Sequence, residues 1–372
     1  MALFDKLFKE GSEKQGFWDK ARKVLIGNEM PDKPIIKMCM LGPRGVGKTS
    51  VLTSVYSNMN TAVVGTEMYI KADTGTGIIL NQKKSDLKNM FKPGNKPGDE
   101  VRPGIAGDDV ATTFGFDFGI NTQNVNMGLE ITDFPGEYVL DEPETVKAYI
   151  ADSSAIMLAI DTPHLMEYDG KYNEAKNRTS VITKFFAENA SVMKERKLVM
   201  LVPLKCEKYY HEGCIEEVTQ RVKEVYAELI SFLRDKNNVN GMKGLHACIV
   251  TPILTLGEIV FDCFGVEDGA VAEAVSHGQP LPKFPKYKYQ KAGAKYAPKY
   301  CEQPVYYLLS FVSKLYREMK EDVESSGLLR KMKKLFQQIP ENDIILQEMH
   351  KFQSKKVDNE DGFVVLFGKG KV

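Results

Sequence analysis

Several features that mark other protein classes are missing from this sequence of 372 residues. Its 50 basic and 50 acidic residues cancel, so no overall field favours nucleic acid or an anionic membrane as a ligand. No apolar run reaches the roughly 18 residues that a membrane span needs. The six cysteines are scattered and form no C-x-x-C pair, which is typical of a reducing compartment. These absences leave a globular protein with an apolar core of its own.

The start of the sequence, MALFDKLFKEGSEK, carries too many charges for a signal peptide. Together with the scattered cysteines, this predicts a cytoplasmic protein. The length predicts about two domains, or one domain with large insertions and tails.

A glycine-rich stretch, GPRGVGKTS at residues 42–50, fits the pattern G-x-x-x-x-G-K-[ST] through Gly42, Gly47, Lys48 and Thr49. Glycines let the chain curl until successive backbone N–H groups point at one anion. The lysine of this pattern reaches the β- and γ-phosphates of a nucleotide, and the hydroxyl binds Mg²⁺. A strand-like run precedes the stretch and a helix-like run follows it, as a phosphate-binding loop requires. Gly45 and Ser50 are expected to line the same loop.

Strand-like and helix-like patterns alternate from residue 33 onward, which predicts the α/β class: a mostly parallel sheet with flanking helices. The strand candidates are IIKMCML, TTFGFDFGI, VNMGLEITDF, SSAIMLAID, KLVMLVPL and LHACIVTPI. Residues 112–120 and 125–134 are separated only by the polar turn NTQN, so we expect them to pair as an antiparallel hairpin at one edge of the sheet.

The chain is predicted to have three segments. Residues 1–30 form an amphipathic arm, residues 31–323 form the phosphate-loop domain, and residues 324–372 form a helical tail. The domain has insertions at 61–111 and 266–303. The first insertion contains KPGNKPGDEVRPGIAGDD, whose glycines and prolines argue against regular structure, and a nucleotide-responsive loop would lie here.

A second motif, D-x-x-G, follows the strand LEITDF and begins at Asp133. A carboxylate at this position can hold Mg²⁺, usually through water, while Gly136 can turn its N–H toward a γ-phosphate. The alternative is a simple turn at the end of a strand.

With these two motifs the sequence resembles the P-loop GTPases of the class that includes Ras-like proteins and translation factors. The resemblance covers roughly residues 33–260 and the helix near 304–320, and it is to a bacterial-type branch with insertions. It implies a Mg²⁺-dependent protein that binds GTP and GDP, hydrolyses GTP, and acts as a nucleotide-controlled switch for a protein effector or regulator. It also implies that Thr112 or Thr113 touches the metal, although a Thr-Thr pair is also ordinary strand composition.

The resemblance places base recognition at PLKCEK, where the class has N/T-K-x-D. Lys205 matches the lysine whose stem lies along the base, and Glu207 stands where an aspartate accepts the guanine N–H groups. Leu204 replaces the polar residue that braces the phosphate loop. The departures leave a P-loop ATPase without guanine specificity as one alternative and a non-catalytic nucleotide-binding scaffold as another.

Two further residues depart from the Ras-like pattern. Glu137 follows Gly136 where that class has a glutamine, and a carboxylate can accept a proton from water but would repel the γ-phosphate, which predicts slow hydrolysis. The alternative is a solvated acidic residue with no catalytic role. Arg44 replaces a glycine of the phosphate loop. Its guanidinium could neutralise charge in the transition state, as an arginine finger does, or lie at the surface in an ion pair. We include Arg44, Lys48 and Glu137 as candidate catalytic residues.

Three segments could contact a binding partner. Residues 277–300 contain six lysines, no acid and several tyrosines, a mixture that can bind single-stranded nucleic acid. We favour a β-hairpin whose tyrosines face the core and whose lysines face water. The helix predicted at 327–339 has an apolar face and a basic remainder, so it could dock on its own domain, on a partner helix or on an anionic membrane. The arm at 1–30 allows the same three interpretations.

Overall fold

The computed structural model of this protein describes residues 35–92, 110–120, 127–193, 195–236, 246–265, 286–321 and 342–372. The described residues fall in one structural unit, Pro34–Val372. The arm predicted at 1–30, the glycine- and proline-rich stretch from residue 93 to 109, and the helix predicted at 327–339 lie outside the described residues.

The described strands and helices alternate along most of the chain. The strands are β1 (Ile35–Leu41), β2 (Tyr69–Ala72), β3 (Thr112–Gly119), β4 (Met127–Asp133), β5 (Ala155–Asp161), β6 (Leu198–Leu204), β7 (Ala247–Val250), β8 (Gly257–Gly265), β9 (Lys286–Tyr296) and β10 (Val364–Phe367). The α-helices are α1 (Lys48–Ala62), α2 (Thr74–Asn89), α3 (Tyr138–Asp141), α4 (Pro143–Asp152), α5 (Thr162–Met166), α6 (Asn173–Asn177), α7 (Thr179–Glu188), α8 (Glu207–His211), α9 (Ile215–Val225), α10 (Ala227–Lys236), α11 (Gln303–Glu321) and α12 (Asn342–Lys351).

Eight of the strands form one sheet in the order β10-β7-β6-β5-β1-β4-β3-β2, and β8 pairs with β9 in a second sheet. The five central strands, from β7 to β4 in that order, run parallel. The strands β2, β3 and β10 run antiparallel to their neighbours. This arrangement confirms the predicted fold class, and each of the six strand candidates contains a strand.

Helices cover both faces of the central strands. Every residue of β5 and β6 is buried, as expected for strands packed on both sides. Successive residues of β6 enter opposite cores: Met200 belongs to the buried cluster that includes residues of α1 and α11, while Val199 belongs to the one that includes residues of α4 and α7. The carboxyl ends of the parallel strands therefore share one edge, where loops can form a site.

The first insertion contains regular structure that its sequence did not predict. The strand β2 pairs antiparallel with β3, so the predicted edge position of the β3–β4 hairpin is wrong, although the hairpin pairing itself is confirmed. The helix α2 begins at an N-cap, where the carboxylate of Asp73 accepts a hydrogen bond from the Thr76 N–H at 2.7 Å. Two glycines in the first turn of α2 hid this helix from pattern analysis.

The last part of the chain belongs to the same core as the sheet. The strand β10 pairs antiparallel with β7, and α12 packs against α11. Phe363 and Val372 are both almost fully buried. The described part of the segment expected as a helical tail is thus part of the domain.

The second sheet is an antiparallel pair, β8 and β9, with Phe261 opposite Tyr289 and Phe264 opposite Tyr287. The two tyrosines contact these phenylalanines, whereas Lys288 between them is exposed. The predicted alternation of inward tyrosine and outward lysine is confirmed here. The sequence did not reveal that the partner strand begins at residue 257.

No helix within the described residues is long and apolar enough to cross a bilayer.

Candidate functional site

The phosphate loop lies between the carboxyl end of β1 and the start of α1, as its sequence context predicted. Gly42 and Gly47 have φ values of 145° and 114°, a region that L side chains rarely adopt. A Cβ on Gly42 would lie 2.6 Å from the Ala159 carbonyl oxygen of β5. Glycine is therefore required at this position for both conformation and space.

Lys48 is buried at the first position of α1 and points back into the loop. Its Nζ donates hydrogen bonds to the carbonyl oxygens of Gly42 at 2.9 Å and Pro43 at 3.3 Å. Burial lowers the Lys48 pKa, and the carboxylate of Asp133, whose Oδ1 lies 3.8 Å from Nζ, acts in the opposite direction. The ammonium is thus held at the floor of the loop, where an anion would meet it.

The expected metal ligands come together beside Lys48. The Thr49 hydroxyl donates a hydrogen bond to Oδ2 of Asp133 at 3.1 Å. Thr112 lines the same cavity. Thr113 is exposed, and its hydroxyl lies 3.0 Å from the hydroxyl of Thr132 on the neighbouring strand, so the cavity is lined by only the first of the two threonine candidates.

The D-x-x-G glycine lies directly against the phosphate loop. A Cβ on Gly136 would be 2.6 Å from the Arg44 backbone nitrogen and 3.0 Å from the Pro43 Cα. The Arg44 side chain is exposed at the cavity, and Glu137 is half-buried there. The Arg44 carbonyl oxygen accepts a hydrogen bond of 2.8 Å from Nζ of Lys176. The loop is therefore fixed from two sides at Arg44.

Lys205 follows β6 with a positive φ of 59° and bonds within the protein. Its Nζ donates to Oδ2 of Asp161 at 2.8 Å and lies 3.7 Å from the centre of the Tyr287 ring. Burial lowers the pKa of Lys205, while Asp161 raises it. Its ammonium is already neutralised by a buried carboxylate.

Glu207 is buried at the start of α8 and also has a partner within the protein. Its Oε1 accepts a hydrogen bond from the Leu256 N–H at 3.0 Å. Burial raises the Glu207 pKa, and the Leu256 N–H opposes this shift. The carboxylate supports the loop after β7 in this structure. Leu204 is buried and would lie 3.8 Å from a Cβ on Gly47, so an apolar side chain packs behind the phosphate loop.

Most of the predicted site residues line one continuous cavity. Its phosphate end contains the loop from Arg44 to Ser50, together with Thr112 and the segment from Asp133 to Glu137. The other end is lined by Lys205, Glu207, Thr255, Leu256, Ile259 and Tyr289. Gly42 and Thr113 do not line the cavity.

The sequence analysis missed Asp161, Lys176 and Tyr289. Asp161 ends the buried strand beside β1, and a carboxylate at that edge of a parallel sheet is a usable signal for a site. Lys176 and Tyr289 reach the cavity or its rim only through tertiary packing. Nothing in the local sequence of Lys176 marks it, whereas Tyr289 belongs to the basic and aromatic segment 277–300, whose sequence did not show that it reaches this cavity.

Comparison with known proteins finds no matching family model and no matching curated protein. Among solved structures, the S. cerevisiae Ski7 GTPase-like domain bound to GTP is similar with 16% identity and a TM-score of 0.33, over 60% of this chain and 43% of that one. The bacterial selenocysteine-specific elongation factor EF-Sec is similar with 16% identity and a TM-score of 0.26, over 60% and 26% of the two chains. Sup35 complexed with GDP has 11% identity and a TM-score of 0.27, over 62% and 39%.

This chain spans less than half the length of each of these three matched chains. The TM-scores assign no family, so the functional argument below depends on the site itself.

Proposed function

We propose that this protein binds GTP with Mg²⁺, hydrolyses it slowly and acts as a nucleotide-controlled switch. The observation that supports this best is the meeting of Lys48, Thr49 and Asp133 at the end of a glycine loop. Lys48 would neutralise the β- and γ-phosphates, and Gly136 would direct its backbone N–H at the γ-phosphate. A protein effector would read the nucleotide state through residues 61–142.

The donor set fits Mg²⁺. A hydroxyl and a carboxylate 3.1 Å apart are hard oxygen donors, and Mg²⁺ is usually held by one or two such groups together with waters and substrate phosphates. Thr49 and Asp133 would hold the ion, with Thr112 as a further ligand on the same cavity wall. Bound there, the ion would neutralise charge on the phosphates.

Slow hydrolysis follows from Glu137. Its carboxylate could accept a proton from an attacking water but could not donate a hydrogen bond to a phosphate oxygen. Its charge would also repel the γ-phosphate. Arg44, exposed at the same cavity, would offset part of that repulsion.

Competition binding tests the nucleotide. A labelled GTP analogue bound in the presence of Mg²⁺ should be displaced by GTP and GDP, and Lys48→Ala should abolish binding. Equal displacement by ATP would contradict guanine specificity. Phosphate release no faster than from Lys48→Ala would contradict hydrolysis and favour a nucleotide-binding scaffold.

ATP is the second candidate because Glu207 already accepts the Leu256 N–H. A carboxylate used in this way has less freedom to accept the two guanine N–H donors. If Glu207 reads guanine, Glu207→Gln should weaken GTP binding selectively and leave ATP binding unchanged. Equal effects on both nucleotides would assign the residue to loop support and favour a nucleotide site without guanine specificity.

A further inference from the structure

We propose that the β8–β9 hairpin is the base-recognition wall of the nucleotide site, and that the ring of Tyr289 packs against the nucleobase. This inference rests on the proposed nucleotide binding and adds the surface that would hold the base. It assigns a role to an element outside the phosphate-loop motifs.

The first argument is the position of the hairpin. Tyr289 and Ile259 line the cavity whose other end is formed by Lys48 and Asp133. A nucleotide with its phosphates on the glycine loop would extend its base toward one end of that cavity. Ligand pockets are commonly apolar with a few polar groups that fix orientation, and this end matches that description.

The second argument is that the two residues expected to read the base have partners within the protein. Nζ of Lys205 bonds to Asp161 and faces the Tyr287 ring. Oε1 of Glu207 bonds to the Leu256 N–H. Aromatic and aliphatic surface therefore forms much of what the base can contact at this end.

The third argument is that the Tyr289 ring is held in place. It stacks on Tyr287 with ring centres 5.8 Å apart and an angle of 24°, and it meets Phe261 edge-on. The Tyr287 hydroxyl donates a hydrogen bond to Oδ2 of Asp161 and lies 3.1 Å from Nδ1 of His164. A ring fixed by the protein loses little freedom when a ligand packs on it.

Separate probes of the phosphate end and of the base end provide the test. Dissociation constants should be measured with Mg²⁺ for GTP, ATP and inorganic tripolyphosphate, which has the anion without the base. Stacking of a base on an aromatic ring contributes enough that Tyr289→Leu should weaken both nucleotides about tenfold. Tripolyphosphate binding should be unchanged, and Tyr289→Phe should bind like the wild type because it keeps the ring.

The matched control is Tyr168→Leu. Tyr168 stacks on Phe264 in the same aromatic cluster but does not line the cavity, so its loss tests general loosening of the hairpin. Equal weakening of all three ligands by Tyr289→Leu, or no weakening of the nucleotides, would overturn the proposal. The same holds if Tyr168→Leu reproduces the nucleotide-selective loss.

A second measurement uses the wild-type protein and does not depend on the folding of a variant. Photolabelling with 8-azido-GTP or 8-azido-ATP should modify residues of β9 or β8, and labelling confined to other segments would overturn the proposal. Failure of the proposed nucleotide binding looks different, because tripolyphosphate and both nucleotides would then bind Lys48→Ala as well as the wild type, or not bind at all.

Discussion

Arg44 of the phosphate loop and Glu137 line the same cavity. If the two side chains act at one site, their contributions to the rate should not add. We expect Arg44→Gly to lower the single-turnover rate of GTP hydrolysis by less than about tenfold, because an exposed guanidinium gives only part of the effect of an inserted arginine finger. Glu137→Gln and the double variant complete the cycle.

GDP affinity is the control for this cycle. It should stay nearly constant in Arg44→Gly, since interactions made only in the transition state change the rate and not ground-state binding. Additive effects of Arg44→Gly and Glu137→Gln, or a thousandfold loss from the first alone, would give Arg44 a larger catalytic role.

Gly136 has no room for a side chain beside the phosphate loop. We expect Gly136→Ala to weaken nucleotide binding tenfold or more, on the order of 1.4 kcal/mol, because the new methyl group would push the Arg44 backbone nitrogen out of place. Equilibrium binding of GTP measures the loss. Gly77→Ala is the matched control, because a Cβ there meets only the Tyr56 hydroxyl at 3.9 Å. Unchanged binding by Gly136→Ala would show that the loop moves away at no cost.

The raised pKa of Glu207 predicts that the free energy of unfolding depends on pH. Burial raises its pKa above the ordinary value of 4.5, so the folded state holds this proton more tightly than the unfolded state does. The stability that protonated Glu207 contributes to the folded state is fully present below the ordinary pKa, and it is lost as pH rises through the raised pKa. Glu207→Gln keeps an oxygen for the Leu256 N–H and removes the charge. Its stability relative to the wild type should therefore increase as pH rises from about 4 to about 7.

Urea unfolding of both proteins across this range measures the difference. Glu258→Gln in β8, at a half-buried carboxylate that accepts a hydrogen bond from the Lys295 N–H, is the matched control. A Glu207→Gln protein that loses stability relative to the wild type as pH rises would contradict the assigned shift.

At the scale of elements, the β8–β9 hairpin is joined to the main sheet at Asp161 of β5, whose Oδ2 accepts a hydrogen bond from the Tyr287 hydroxyl of β9. Burial tends to raise the Asp161 pKa, but the Lys205 ammonium and the His164 ring hold it well below its usual range. Removing this carboxylate would leave a buried ammonium without its partner. We expect Asp161→Asn to reduce the free energy of unfolding by about 3–5 kcal/mol.

Hydrogen exchange should show that the same Asp161→Asn change speeds exchange of the β9 amides. Asp152→Asn is the matched control, since it breaks a pair with Lys37 whose side chains are 38% and 44% exposed. An exposed pair of this kind contributes about 0–1 kcal/mol. A loss from Asp161→Asn as small as that of the control would show that the ion pair does not hold the hairpin.

Elements with a local signal were predicted, and elements that depend on distant partners were not. The buried strands β5 and β6 are continuous apolar runs, and the phosphate loop has a fixed spacing, so both could be located from the sequence. The helix α2 starts with T-G-T-G, which has low helix propensity, and its N-cap bond to Asp73 became visible only in the structure.

The residues of the site fall into the same two groups, those located by a local motif and those whose contacts depend on distant partners. Lys48 and Asp133 belong to short motifs. The partner of Lys205 lies 44 residues away along the chain, and that of Glu207 lies 49 residues away. Their engagement within the protein therefore depends on tertiary packing that no local pattern encodes.

At the scale of the whole molecule, the last residues complete the fold around the site. The strand β10 extends the sheet beyond β7, and the Thr219 hydroxyl donates to the Gly362 carbonyl oxygen at 2.5 Å. A Cβ on Gly368 would lie 2.4 Å from the His246 carbonyl oxygen, so this segment packs tightly against the start of β7. Such packing implies that β10 and the phosphate loop unfold together, although they lie at different places in the sheet.

Ligand linkage tests this cooperativity. A ligand at 100 times its dissociation constant stabilises the folded state by about 2.7 kcal/mol if it binds only that state. If the unit unfolds as a whole, Mg²⁺ with GTP at 100 times its dissociation constant should slow exchange of the β10 amides by a factor of about 100. Exchange of the most protected amides of β1 should slow by the same factor. Lys48→Ala should remove the effect at both places. Slower exchange at β1 alone would show that β10 opens independently of the nucleotide site. An opening that leaves the site intact does not release the ligand, so the ligand does not slow exchange through that opening.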